Sequence, residues 1–190
     1  RQICCHPRLL KLDMPGMNTN LPSGKFDAFK DLVTDIIEEG HKVLIFSQFV
    51  QMLHIIRSWV QLTQIKYAYL DGSSKDRFDQ VDTFNNDESV KMFLISLKAG
   101  GTGLNLTSAD YVIHYDPWWN PAVESQATDR THRIGQLRQV FSYKMICQNT
   151  VEEKILKLQE QKKDVAEAII PGQDAFKSLT RTDLESLFEV

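Results

Sequence analysis

The chain has 190 residues, of which 42% are hydrophobic and 25% charged, with a formal net charge of −3. This is an ordinary globular composition, large enough for one domain with a full core and small appendages. No apolar run approaches the ~20 residues needed to span a bilayer. The mildly acidic balance gives no bulk argument for nucleic-acid binding, so any such case must come from local motifs.

The opening "RQICCHPRLL" lacks a signal-peptide layout and reads as a sequence cut into mid-element, which sets the expectation of a longer parent chain. Three cysteines, Cys4, Cys5 and Cys147, offer no spaced pairs and suggest a reducing compartment. Cys4, Cys5 and His6 are adjacent, a spacing that rarely lets all three reach one tetrahedral ion. They read as packing residues, and no metal site is expected. Residues 12–24 read as a loop or linker from their Pro, Gly and Asn content.

From residue 23 onward, helical patterns alternate with short apolar runs. Residues 23–40 carry Phe26, Phe29, Val33, Ile36 and Ile37 at helical spacing, with Gly40 as the stop. "KVLIFS" (42–47) reads as a strand, and 49–63 as an amphipathic helix. "KYAYLDG" is a second strand, followed by a helix over 74–86. "KMFLISLK" (91–98) is a third strand running into the loop "AGGTGLN", and "DYVIHYD" (110–116) a fourth. Residues 120–134 form a helix with Asn120 as cap and Pro121 in its first turn. "RQVFSYKMIC" is a fifth strand. Residues 150–170 form a long helix, opened by a Thr150/Glu153 capping box and ended by Pro171–Gly172. A short helical piece, "TRTDLESLF", follows. This alternation implies an α/β fold with a mostly parallel sheet and helices on both faces. Ligands in such sheets bind outside the carboxyl ends of the strands, which directs attention to the loops after Ser47, Leu70, Lys98 and Tyr115.

Four stretches there can carry chemistry. Gly100, Gly101 and Gly103 in "LKAGGTGLNL" let backbone N–H groups crowd against a ligand, and Thr102 adds a hydroxyl. A tight turn explains the same glycines, and nothing in the chain matches a Walker A loop. Gln126, Arg130 and Arg133 fall on one helix face, where two arginines can grip phosphate. An ordinary Asp129–Arg133 surface pair reads the same spacing. The two tryptophans of "YDPWWNP" (115–121) cannot both point inward from an extended segment. "LDGSS" (70–74) and "FSQF" (46–49) end strands with groups able to meet an anion or to cap a helix.

In order, "KVLIFSQF", "YLDGSSKDR", "SLKAGGTGLNLTSADYVIHYDPWWNP" and "ESQATDRTHRIGQ" resemble the second RecA-like lobe of the SWI/SNF-type DNA-dependent ATPases, in helicase superfamily two. The opening "RQICCHP" and "SGKFDAF" resemble that family's lead-in, so the likeness covers nearly the whole chain. It implies a lead-in at 1–24, a RecA-like lobe at 25–150 and a C-terminal helical extension at 151–190. It also implies the C-terminal motor lobe of a translocase on double-stranded DNA, inactive as a fragment. In the family, ATP sits between two lobes, and Walker A and the Mg2+-binding acidic box belong to the first. The partners implied are therefore double-stranded DNA and the first RecA-like lobe of the same chain, with no membrane. The resemblance places the chain inside the cell, in cytoplasm or nucleoid if bacterial and nucleus if eukaryotic. The short connections resemble a bacterial member.

By that resemblance Arg133 is the arginine finger on the γ-phosphate, with Arg130 beside it. Gln126, Gly101, Thr102 and Gly103 belong to the ATP side. Ser47, Gln48, Gly72, Ser73 and Lys98 are expected on phosphates of the tracking strand, and Trp118 couples lobe closure to DNA movement. Two alternatives stand beside this reading. An RNA helicase lobe is opposed by "HRIGQ" and "PWWNP". A non-catalytic binding module is opposed by the intact arginines and glycine loop.

Overall fold

The computed structural model describes residues 1–10, 21–100, 104–128 and 139–169. Its centre is a five-stranded sheet in the order β2-β3-β1-β4-β5, with every pair parallel. The strands are β1 (Val43–Ser47), β2 (Lys66–Leu70), β3 (Val90–Ser96), β4 (Tyr111–His114) and β5 (Phe141–Lys144). β1 lies third in the sheet and is buried along its whole length. That position explains why "VLIFS" reads as an unbroken apolar run rather than an alternating one.

Alternation along the strands divides the core in two. Val43, Ile45, Met92, Leu94, Ile113 and Tyr115 pack on one face against α2 (Gly24–Glu38) and α3 (Val50–Thr63). Leu44, Phe46, Phe93, Ile95 and Val112 pack on the other face against Phe84 of α4 (Arg77–Asn86) and against Leu97, Ala99, Leu104, Leu106 and Ala109. Ser23 caps α2 by accepting from the Phe26 N–H at 3.3 Å. Gly40, at φ 89°, supplies the left-handed turn that lets the chain leave α2 for β1.

Several boundaries differ from the sequence reading, each for a local reason. β3 stops at Ser96, because its hydroxyl accepts from the Ala99 N–H at 3.2 Å and starts the one-turn helix α5 (Leu97–Gly100). α4 begins at Arg77 rather than residue 74. Asp71 holds the preceding residues in a turn, with Oδ1 accepting from the Ser73 N–H at 2.8 Å and the Ser73 hydroxyl at 2.7 Å. β5 is shorter than expected, an edge strand exposed along its whole length. Helix α6 (Pro121–Thr128) starts as expected, with Asn120 Oδ1 accepting from the Ala122 N–H at 3.0 Å. Its expected continuation to residue 134 lies outside the described residues. The same is true of most of the 12–24 linker, the Pro171–Gly172 stop and "TRTDLESLF".

The lead-in is structured, and Cys5 packs in the core as expected. Helix α1 (Gln2–Cys5) and a 3-10 turn (Pro7–Leu9) set Cys5 and Leu9 into the core with α2 and α3. His6 Nδ1 accepts from the Arg8 N–H at 3.1 Å, capping the turn. At the other end, helix α7 (Val151–Ile169) buries Ile155 and Leu158. Its cap is reciprocal but shifted by one residue. Thr150 Oγ1 accepts from the Glu152 N–H at 3.1 Å, and Glu153 Oε2 accepts from the Asn149 N–H at 2.7 Å. A buried ion pair of 2.7 Å joins Glu152 to Lys25 at the start of α2. The lead-in thus closes over the same core as the sheet, and the first turn of α7 is tied to the start of α2. Among the described residues no helix is long and apolar enough to cross a membrane.

Candidate functional site

The connection leaving β1 runs to β2 on one side of the sheet, and that leaving β4 runs to β5 on the other. Adjacent strands whose connections diverge open a crevice at their carboxyl ends. Ser47 and Gln48 line one side of it, and Tyr115 to Trp118 line the other.

Asp116 bridges the crevice. Its Oδ1 accepts from the Ser47 hydroxyl at 2.5 Å and its Oδ2 from the Gln48 N–H at 3.3 Å. Gln48 Nε2 donates to the Pro117 carbonyl at 3.4 Å. Burial raises the Asp116 carboxyl above the ordinary range, against the opposing pull of its bonds from Ser47 and Gln48. The Ser47 side chain is wholly buried and its hydroxyl donates to Asp116. Its role here is to fix the turn that presents Gln48, which is half-buried.

Gly72, Ser73 and Lys98 are exposed at the same carboxyl edge. Open space surrounds the Gly72 Cα where a side chain would begin. Asp71 shapes this loop. Bonds from Ser73 first, with further bonds from Tyr69 and Ser74, hold its carboxyl at about 2. Arg77, which the sequence reading did not single out, donates from Nη2 to the Ala99 carbonyl and clips this loop to the turn carrying Lys98.

The loop "YDPWW" is held at nearly every residue. The Tyr115 hydroxyl donates to the Cys5 carbonyl at 2.8 Å. The Pro117 carbonyl also accepts from Arg1 Nη2. The Trp118 N–H donates to Glu124 Oε1 at 2.6 Å, and its carbonyl accepts from Gln159 Nε2. Both tryptophans are half-buried, with ring centroids 6.4 Å apart, and the Arg1 guanidinium stands 5.8 Å over the Trp118 ring. Asp116, Lys144 and Gln159 escaped the sequence reading because their partners are distant in the chain, and Glu124 because its bond to Trp118 spans a loop-to-helix junction rather than a helical spacing. The one local signal was Asp116 itself, a charge between a buried strand and a proline.

Gln126 lies on α6, while Gly101, Thr102, Gly103, Arg130 and Arg133 lie outside the described residues. Among the described residues no group of three or more His, Cys, Asp or Glu side chains could hold a metal ion.

Residues 24–135 match the helicase conserved C-terminal domain, and the chain belongs to that family. Over 152 residues, 79% of the chain, it is 44% identical to the chromatin-remodeling ATPase INO80 of Homo sapiens, of which it spans 10%. It is 38% identical along its full length to an uncharacterized ATP-dependent helicase of Mycoplasma pneumoniae, of which it spans 18%. Among solved structures, the C-terminal part of the Fun30 ATPase domain superposes with a TM-score of 0.69 at 41% identity, over 72% of this chain and 45% of that one. The fold is thus RecA-like, and the chain is homologous to the C-terminal lobe of the SNF2-type ATPases.

Proposed function

We propose that this chain is the second motor lobe of an ATP-dependent translocase that tracks along double-stranded DNA. The observation that carries the reading is the crevice between the carboxyl ends of β1 and β4. Gln48 and the start of α6 border it, and Gly72, Ser73 and Lys98 stand open on the same edge of the sheet. Backbone donors and a few polar side chains suffice to hold phosphates without a strongly basic surface, which is compatible with a net charge of −3. The names of the relatives, a chromatin-remodeling ATPase and an ATP-dependent helicase, support the same reading.

In this reading Gln48, Gly72, Ser73 and Lys98 contact the tracking strand, with Ser47 acting through Asp116. Arg133, with Arg130, reaches the γ-phosphate of ATP held by the first lobe, which also holds Mg2+. Gln126 and the loop Gly101–Gly103 complete this lobe's wall of the nucleotide site. An arginine finger stabilises the charge that develops on the transferred phosphoryl group, an effect of roughly 10³–10⁵ in rate. Trp118, gripped from α6 and α7, passes lobe closure to the DNA-facing loops.

The test is ATP turnover by the parent protein, with and without duplex DNA, for wild type and Arg133→Ala. The expected result is DNA stimulation in the wild type, lost in the variant while ATP binding persists. Equal turnover with and without duplex DNA sinks the motor. Wild-type turnover in the variant withdraws the finger.

A further inference from the structure

A closed circuit of side chains holds the backbone of Trp118 from both ends. Its N–H donates to Glu124 Oε1 at 2.6 Å. Lys144 Nζ stands 2.6 Å from Glu124 Oε2 and donates to Gln159 Oε1 at 3.4 Å. Gln159 Nε2 closes the circuit on the Trp118 carbonyl. The members come from the loop after β4, the first turn of α6, the end of β5 and the middle of α7.

Glu124 is 2% exposed and Gln159 4%. A buried polar group costs stability unless its hydrogen bonds are made. The Gln159 amide offers a donor and an acceptor on one side chain. An aliphatic side chain at 159 leaves the Trp118 carbonyl without its donor, and a carboxylate turns an oxygen toward it. The amide at this position is therefore specified by both of its neighbours. What it fixes is geometry, because Glu124 sits in the first turn of α6 and cannot shift without breaking its contacts to Trp118 and Lys144.

We infer that Gln159, on the C-terminal helix, is a positioning residue for the motor step: through Trp118, Lys144 and Glu124 it sets the start of α6, the element that precedes Arg130 and Arg133 in the sequence. The inference rests on the proposed motor function. It locates in α7 a control over the rate of turnover rather than over ATP affinity, since a displaced arginine loses contacts made in the transition state.

The experiment measures ATP turnover by the full parent protein at saturating duplex DNA, over a range of ATP concentrations. It compares wild type, Gln159→Met, Lys144→Met and the double variant. A small displacement of a catalytic group costs up to about a hundredfold, so each single change is expected to lower kcat roughly ten- to hundredfold with KM little altered. The double variant is expected to be no worse than the worse single, because the residues act as one unit. A Gln159→Met enzyme with wild-type kcat overturns the inference, and so do losses that multiply in the double variant. Lys144 is partly exposed, at 38% of its side chain, but its loss leaves the buried Glu124 without its cation, so the urea midpoint of each variant is measured beside its rate. If Gln159→Met fails to fold, Lys144→Met against Lys144→Arg decides. Loss in the first with recovery in the second supports the circuit, and equal kcat in both overturns it. A wild-type enzyme indifferent to DNA defeats the motor reading itself, an outcome visible without any variant.

Discussion

His114 shows how a single buried side chain sets the response of this fold to acid. It is 1% exposed, stacked on Phe46 at 5.5 Å, and burial lowers its pKa to about 4 from 6.5. Between those two values the unfolded chain binds a proton that the folded chain refuses, so stability falls as pH drops from 6.5 through about 4. The full span is on the order of 3 kcal/mol, taking ~1.4 kcal/mol per unit. Urea unfolding of this chain at a series of pH values between about 7 and 4 should show that slope, and His114→Phe should flatten it. Asp71 works in the opposite sense to a raised acid. Its depressed carboxyl contributes stability above 3.8, lost as pH falls toward about 2, so the two windows separate.

At the scale of elements, α7 is joined to α2 by a buried ion pair. Lys25 and Glu152 have side chains only 4% and 1% exposed, and Glu152 Oε2 also accepts from the Cys147 N–H at 2.9 Å. Removing one member of a buried pair strands the other charge away from water, at a cost of about 3–5 kcal/mol. Lys25→Met is therefore expected to lower the urea midpoint sharply, whereas changing Lys25 and Glu152 together to apolar residues should recover much of the loss. Equal midpoints for wild type and Lys25→Met would show the pair to be incidental. None of this was readable locally. The spacing of Phe26, Phe29, Val33 and Ile36 gave α2 away, since burial imposes a period on one face. No period marks Lys25, whose partner lies 127 positions later. The strands were legible for the opposite reason: a parallel strand covered on both sides must be apolar throughout, as "VLIFS" is. Their ends were less so, because β3 is cut at Ser96 by one hydroxyl and the start of α4 is delayed by one carboxylate.

For the whole molecule, the carboxyl edge of the sheet was predictable as the working edge, while the partners crossing it were not. Topology follows from the order of elements, but the engagement of Ser47 with Asp116 depends on two strands becoming neighbours although 69 positions separate the residues. If the parent protein grips duplex phosphates along this edge, Lys98→Ala should weaken binding about equally across DNA sequences. It should also reduce the magnitude of the log K against log salt slope by about 1. An unchanged slope in a fluorescence-anisotropy titration removes Lys98 from the interface.

The strand order also constrains how the lobe is made. β1 and β2 follow each other in the chain but are never paired; each waits for β3, which lies between them. A ribosome therefore releases the apolar run "VLIFS" about fifty residues before its first strand neighbour exists, roughly 3–10 s at ordinary elongation rates. Throughout that interval α2 can cover one face of the strand, but both of its backbone edges stay without a ladder to join.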